Sequence, residues 1–203
     1  MNLLSLLQTE AVQRGLLAPD AELDPATLFA LVRDMPYMRA SSRQPEVIIR
    51  EWRGTCSGKH YLLKALFAEL GLPAKLMAGA ARTKPDPATT LPEILATLEP
   101  ADGYFVDVHN WLVVETPKGA MIVDATWPLV TRAAGMVVNE TFILGQDQQL
   151  AYIPEQTWVV PEHEDPQAFK QKLLQEQFSP AELAARDAFI QKLSAVLAQH
   201  FGA

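Results

Sequence analysis

Apolar positions recur at helical spacing near both ends of the chain and form strand-like runs through its middle. Leu3, Leu4, Leu6, Leu7 and Val12 predict a first helix that stops near Gly15. Asp24 and Pro25 open a second, with Asp24 as N-cap and Pro25 at the first helical position, where a missing N–H costs nothing. Residues 35–54 read as irregular, broken by Pro36, Ser41, Ser42 and Pro45, with a short helical turn around Val47 to Trp52. Over residues 57–70 the spacing of Leu62, Leu63, Leu66, Phe67 and Leu70 predicts a helix that buries one broad face and ends at Gly71 and Pro73.

Period-two and continuous apolar runs then take over. Residues 74–80, 104–115, 120–126 and 136–144 read as strands, the second and third joined by a loop over 116–119. The unbroken run Trp111, Leu112, Val113, Val114 implies a sheet covered on both faces. Residues 82–103, with Pro85, Pro87, Pro92 and Pro100 around a short helical stretch, read as an insertion between strands and are expected to restrict access to a site beside them. Asp165-Pro166 and Ser179-Pro180 each start a C-terminal helix. Ser179 and Glu182 form a capping box, and Leu183, Ile190, Leu193 and Leu197 give the last helix a buried stripe. The pattern as a whole predicts one α+β domain over residues 1–203.

Composition narrows the function classes. The 203 residues carry a formal net charge of -7, which argues against nucleic acid as the main partner, because phosphate neutralisation needs clustered Lys and Arg. Arg39, Arg43, Arg50 and Arg53 are a local exception, read as surface arginines. No run approaches a membrane span, and the N-terminal segment lacks a basic flank and a small-residue cleavage site. With a single cysteine, these features predict a cytoplasmic protein with a free thiol, no cofactor and no membrane partner.

That cysteine is Cys56, just ahead of the helical run and therefore under the positive end of its dipole, where a thiolate is stabilised. A hairpin argument brings two partners to one face. If residues 116–119 form the loop, Glu115 faces Ala120 and Asp124 comes opposite Trp111. His109 then lies two residues further along on the same face, within hydrogen-bonding reach of Asp124. Cys56 as nucleophile, His109 as general base and Asp124 as its orienter would form a thiol acyl-transfer triad. The Cys56 backbone N–H is one oxyanion candidate, with the Trp52 indole and the Gln44 amide as second candidates. His60, one turn after Cys56, and Trp111 are candidates for shaping the pocket. The same side chains support two other readings. One is a zinc site built from Cys56, His60, His109 and Asp124, and the other is a binding module without catalytic activity.

The stretch Arg53-Gly54-Thr55-Cys56 followed by residues 66–75 resembles the nucleophile helix of transglutaminase-like proteins, a branch of the papain-like cysteine fold. Residues 109–115 and 122–128 resemble the strands that carry that family's His and Asp. The resemblance spans residues 52–128 and is shared more distantly with arylamine N-acetyltransferases. It implies Cys56, His109 and Asp124 as the triad, a nucleophile helix packed on a small antiparallel sheet, and an acyl or amide substrate, small molecule or protein, with water or an amine as acceptor.

Overall fold

The structure, a computed structural model, describes residues 2–201. Four helices come first: α1 (Leu3–Gln13), α2 (Pro25–Arg33), α3 (Pro45–Glu51) and α4 (Cys56–Glu69). After them come β1 (Ala74–Thr83), the short α5 (Pro92–Leu95), β2 (Phe105–Thr116), β3 (Gly119–Val123) and β4 (Gln156–Val159). The chain closes with α6 (Pro166–Gln177) and α7 (Pro180–Phe201). The expected start signals operate. The Asp24 side chain accepts from Thr27 N–H at 2.7 Å and that of Asp165 from Ala168 N–H at 2.7 Å, and Glu182 reaches back to Ser179 N–H at 2.8 Å.

Among the described residues the strands form one antiparallel sheet in the order β3-β2-β1-β4. Its register is the one the hairpin argument required, with Glu115 paired to Ala120 and Leu112 to Val123, so that the next pair outward is Trp111 and Asp124. Residues 105–112 of β2 are all buried, as expected for a strand covered on both faces. Two departures concern the sheet's edges. Residues 136–144 form no strand; that apolar run crosses the surface with Val137, Ile143 and Leu144 exposed. The fourth strand is instead β4, paired with β1 from Met77–Val159 to Ala80–Gln156, a short polar edge without period-two alternation. The expected strand over 120–126 also ends early, at Val123, which frees Asp124 to Thr126 from the ladder.

Two clusters hold the domain. The larger joins α1 to α4 to one face of the sheet through Phe29, Ile48, Leu63, Phe67, Val108 and Leu112. The second packs α5 and the 3₁₀ turn after it against α7 through Ile94, Leu98, Phe189, Leu193 and Leu197, with Phe105 and Trp127. Residues 82–103 therefore brace α7 through Ile94, Leu98 and Ala101, while Leu91 stays exposed. Close approach fixes one further position: a Cβ on Gly79 would lie 2.6 Å from the Cβ of Pro154 and 2.9 Å from ring atoms of Trp111. The missing side chain lets the Trp111 indole lie flat over β1 and reach His109.

Candidate functional site

Cys56 is the first residue of α4, and its N-cap, Thr55, makes no side-chain hydrogen bond to the helix. The first N–H groups of α4 thus keep their polarity for whatever lies at the sulfur. The thiol itself is enclosed, only 1% exposed.

His109 and Asp124 meet as the register dictates. His109 Nε2 donates to Asp124 Oδ2 at 2.8 Å, and both side chains are buried. Asp124 Oδ2 also accepts from Ala151 N–H at 2.7 Å, and Oδ1 accepts from Thr126 N–H at 3.0 Å. Burial pushes this carboxyl up, but the charge and hydrogen bond of His109 outweigh it and hold Asp124 well below the usual carboxylate range. The other ring nitrogen of His109, Nδ1, is buried with no hydrogen-bond partner of standard geometry, while the ring and the Cys56 thiol act on each other's protonation. Burial opposes a charged imidazole, yet Asp124 first and then Cys56 raise His109 to about 10. The ring is held flat against Trp111, centroids 5.8 Å apart, with the Tyr152 ring edge-on at 5.5 Å.

His60 has a structural role. Its Nδ1 donates to the Cys56 carbonyl at 2.7 Å and its Nε2 accepts from Ala125 N–H at 2.9 Å. One donating and one accepting nitrogen define a neutral ring, consistent with burial bringing its pKa down to about 4. The residue thus ties the Cys56 carbonyl to the segment that carries Asp124. With both nitrogens occupied it has none to offer a metal, and among the described residues no three His, Cys, Asp or Glu side chains converge as a ligand set. Buried Lys59 makes a parallel tie, donating to the carbonyls of Arg33 at 2.7 Å and Thr126 at 3.1 Å.

A pH dependence follows from His60. In the unfolded chain a histidine takes a proton near pH 6.5, whereas the folded ring refuses it until about pH 4. The unfolded state therefore binds more protons between those values, and stability falls as pH drops through that window, by up to about 1.4 kcal/mol per pH unit. His109 stays protonated in the folded state throughout and opposes this slope only near pH 6.5, where its unfolded form is losing its proton. Urea midpoints measured across this window should decline in the wild type, with a shallower decline in His60→Gln.

The oxyanion candidates fare differently. Cys56 N–H stands at the helix start as expected. Trp52 is packed in the larger core with the Arg14 guanidinium 5.2 Å above its ring, and Gln44 is exposed at the N-cap of α3. Neither is among the groups hydrogen-bonded to the sulfur: Trp52, the left-handed residue that ends α3, turns into the core, and Gln44 stays exposed at the helix's start. Gln44 lines a surface cleft of about 440 Å³ with Arg43, Tyr61, Leu76, Pro166 and Gln167, beside the start of α6. Of the other upstream arginines, Arg39 pairs with Asp187 and Arg53 with Glu51, so both are spent on surface ion pairs.

Three charged residues at the sulfur went unread in the sequence. Asp107 Oδ2 lies 3.8 Å from Sγ. Lys170 Nζ, from α6, lies 3.8 Å from Sγ and donates to Ser57 Oγ at 3.0 Å, while forming an ion pair with Asp107 at 3.2 Å. Arg186, from α7, holds Asp107 Oδ1 through Nε at 2.8 Å and Nη2 at 2.7 Å. Ser57 passes the chain on, donating to Asn110 Oδ1 at 2.9 Å, and Asn110 Nδ2 donates to the Met77 carbonyl at 2.9 Å. Burial pushes the Cys56 thiol up, Lys170 pulls it down, Asp107 opposes that, and His109 pulls it down again, leaving it at about 7. Signals for these residues existed. Asp107 shares a strand face with His109, Lys170 stands in register with the buried Leu173 and Leu174, and Arg186 interrupts the stripe between Leu183 and Ile190.

No protein-family model matches the chain, and neither a curated protein nor a solved structure is found to be similar to it.

Proposed function

We propose that the protein is a cysteine-nucleophile acyltransferase or amide hydrolase of transglutaminase-like, papain-like type, acting through Cys56, His109 and Asp124 with a thioester intermediate. One observation carries the reading: the buried His109 ring gives Nε2 to the Asp124 carboxylate at 2.8 Å and commits Nδ1 to no other partner, while the ring and the Cys56 thiol shift each other's protonation toward the ion pair. A histidine that only filled a core would have no need of an ionised, fully hydrogen-bonded carboxylate behind it.

In this mechanism the Cys56 proton already rests on His109 Nδ1 as a thiolate–imidazolium pair, and the thiolate attacks the acyl carbon of an amide or thioester. The C–S bond forms as the carbonyl π pair moves to oxygen, which the Cys56 N–H receives at the start of α4. When that oxygen's pair returns, the bond to the leaving amine or thiol breaks and His109 supplies the proton it had taken. Water or an amine, deprotonated by His109, then attacks the thioester and releases Cys56. Asp124 keeps the imidazole in the orientation and tautomer these transfers need. Because the sulfur is enclosed in the structure, substrate entry requires the residues around it to open.

Intact mass of the native protein after incubation with a panel of acyl donors, namely p-nitrophenyl esters, acyl thioesters and glutamine-containing peptides, tests the reading. A single acyl adduct is expected, mapped to Cys56, removed by hydroxylamine and absent from Cys56→Ser. No adduct with any donor, or an adduct that persists in Cys56→Ser, would reject it.

A further inference from the structure

We propose that Lys170 is a second cationic partner of the Cys56 sulfur, so that α6 and α7 complete the reactive site instead of merely covering it. This rests on the thiol-nucleophile reading above. Lys170 is 3% exposed and lies in the C-terminal helical part of the chain, outside the stretch of residues from Cys56 to Asp124. Its ammonium is aimed by three groups at once: Ser57 Oγ at 3.0 Å, Asp107 Oδ1 at 3.2 Å and Cys56 Sγ at 3.8 Å. A lysine that served only to neutralise Asp107 would be redundant, because Arg186 already binds that carboxylate through two nitrogens.

Charge balance gives the reason for both cations. In the enclosed site the carboxylates of Asp107 and Asp124 are offset by Arg186 and Lys170. Transfer of the thiol proton to His109 then adds one negative and one positive charge together, and the cluster stays neutral. Without Lys170 the cluster would carry a surplus negative charge before and after the transfer, and this charge would oppose the thiolate in a site with little water to screen it. Other titratable groups facing the site do not fill the place. His60 is held neutral by its two hydrogen bonds, and burial keeps Tyr37, Tyr61 and Tyr152 protonated. Lys59 is committed to two backbone carbonyls, those of Arg33 and Thr126. Arg186 acts at one remove, as a positioning residue: it fixes Asp107, and Asp107 fixes Lys170.

The test is the pH profile of Cys56 alkylation by iodoacetamide in the full-length protein, alongside thiolate ultraviolet absorbance, which needs no reagent to enter. Lys170→Met should raise the apparent thiol pKa by about one unit or more and slow alkylation near neutral pH about fivefold or more. Lys170→Arg, which keeps the charge, should recover most of the wild-type profile. Should Lys170→Met not fold by circular dichroism, Lys170→Gln carries the same comparison. An unchanged profile in the neutral variant, or equal shifts in the neutral and Arg variants, would overturn the role of Lys170 while leaving Cys56 and His109 as a reactive pair. A thiol unreactive at every pH in the native wild type would overturn that pair as well.

Discussion

Replacing His109 with Ala is expected to slow alkylation of Cys56 at neutral pH by roughly fiftyfold. With the thiol at about 7, half of it is thiolate at that pH. Return to a value near 9 would leave about one part in a hundred. The imidazolium lowers the thiol's pKa both by its charge and by its interaction with the sulfur, and a methyl group replaces neither. The measurement is the second-order rate against pH. In the variant the curve should move to higher pH and approach the wild-type rate only in alkali. Slow exposure of the enclosed sulfur would scale both curves alike, so the displacement between them isolates the histidine. A curve indifferent to His109 would mean that Cys56 is a packing residue.

Asp124→Ala should lose about 3–5 kcal/mol of stability, the largest effect of any single change in the site. The substitution removes a carboxylate that accepts from His109, Thr126 and Ala151, and it strands a buried imidazole raised toward the charged form. Two backbone N–H groups lose their acceptor at the same time, each carrying its own desolvation cost. Urea unfolding should show a lower midpoint with little change in slope. Asp124→Asn offers a second test, since its amide oxygen can still serve one N–H. It should recover part of the stability but not the low thiol pKa, because a neutral amide no longer supports the imidazolium. Equal stability of Asp124→Ala and wild type would show that the network does not hold the segment after β3.

Local rules placed most of the elements. The Asp24, Asp165 and Ser179 caps start three of the helices, and period two with a loop at 116–119 set the register that brings His109 to Asp124. Each of these depends on residues within a few positions of one another, so the information lies in the chain itself. The apolar run over 136–144 misled because hydrophobicity shows that a segment can be buried and not which strand edge is free to pair with it. That edge went to Gln156–Val159, whose composition gives little sign of it.

By itself, the sequence determined that this is an α+β protein with a lone cysteine at a helix start and a histidine and an aspartate on one hairpin face. Only the tertiary structure decided what surrounds the sulfur. Asp107, Lys170 and Arg186 come from β2, α6 and α7, and their meeting depends on how the C-terminal helices dock. It also settled that His60 is a neutral tie, that Trp52 belongs to the core, and that residues 82–103 brace α7. The physical reason is one of range. Caps, turns and strand periodicity act over a few residues, whereas charge balance in an enclosed site acts across whatever distance along the chain the fold has closed.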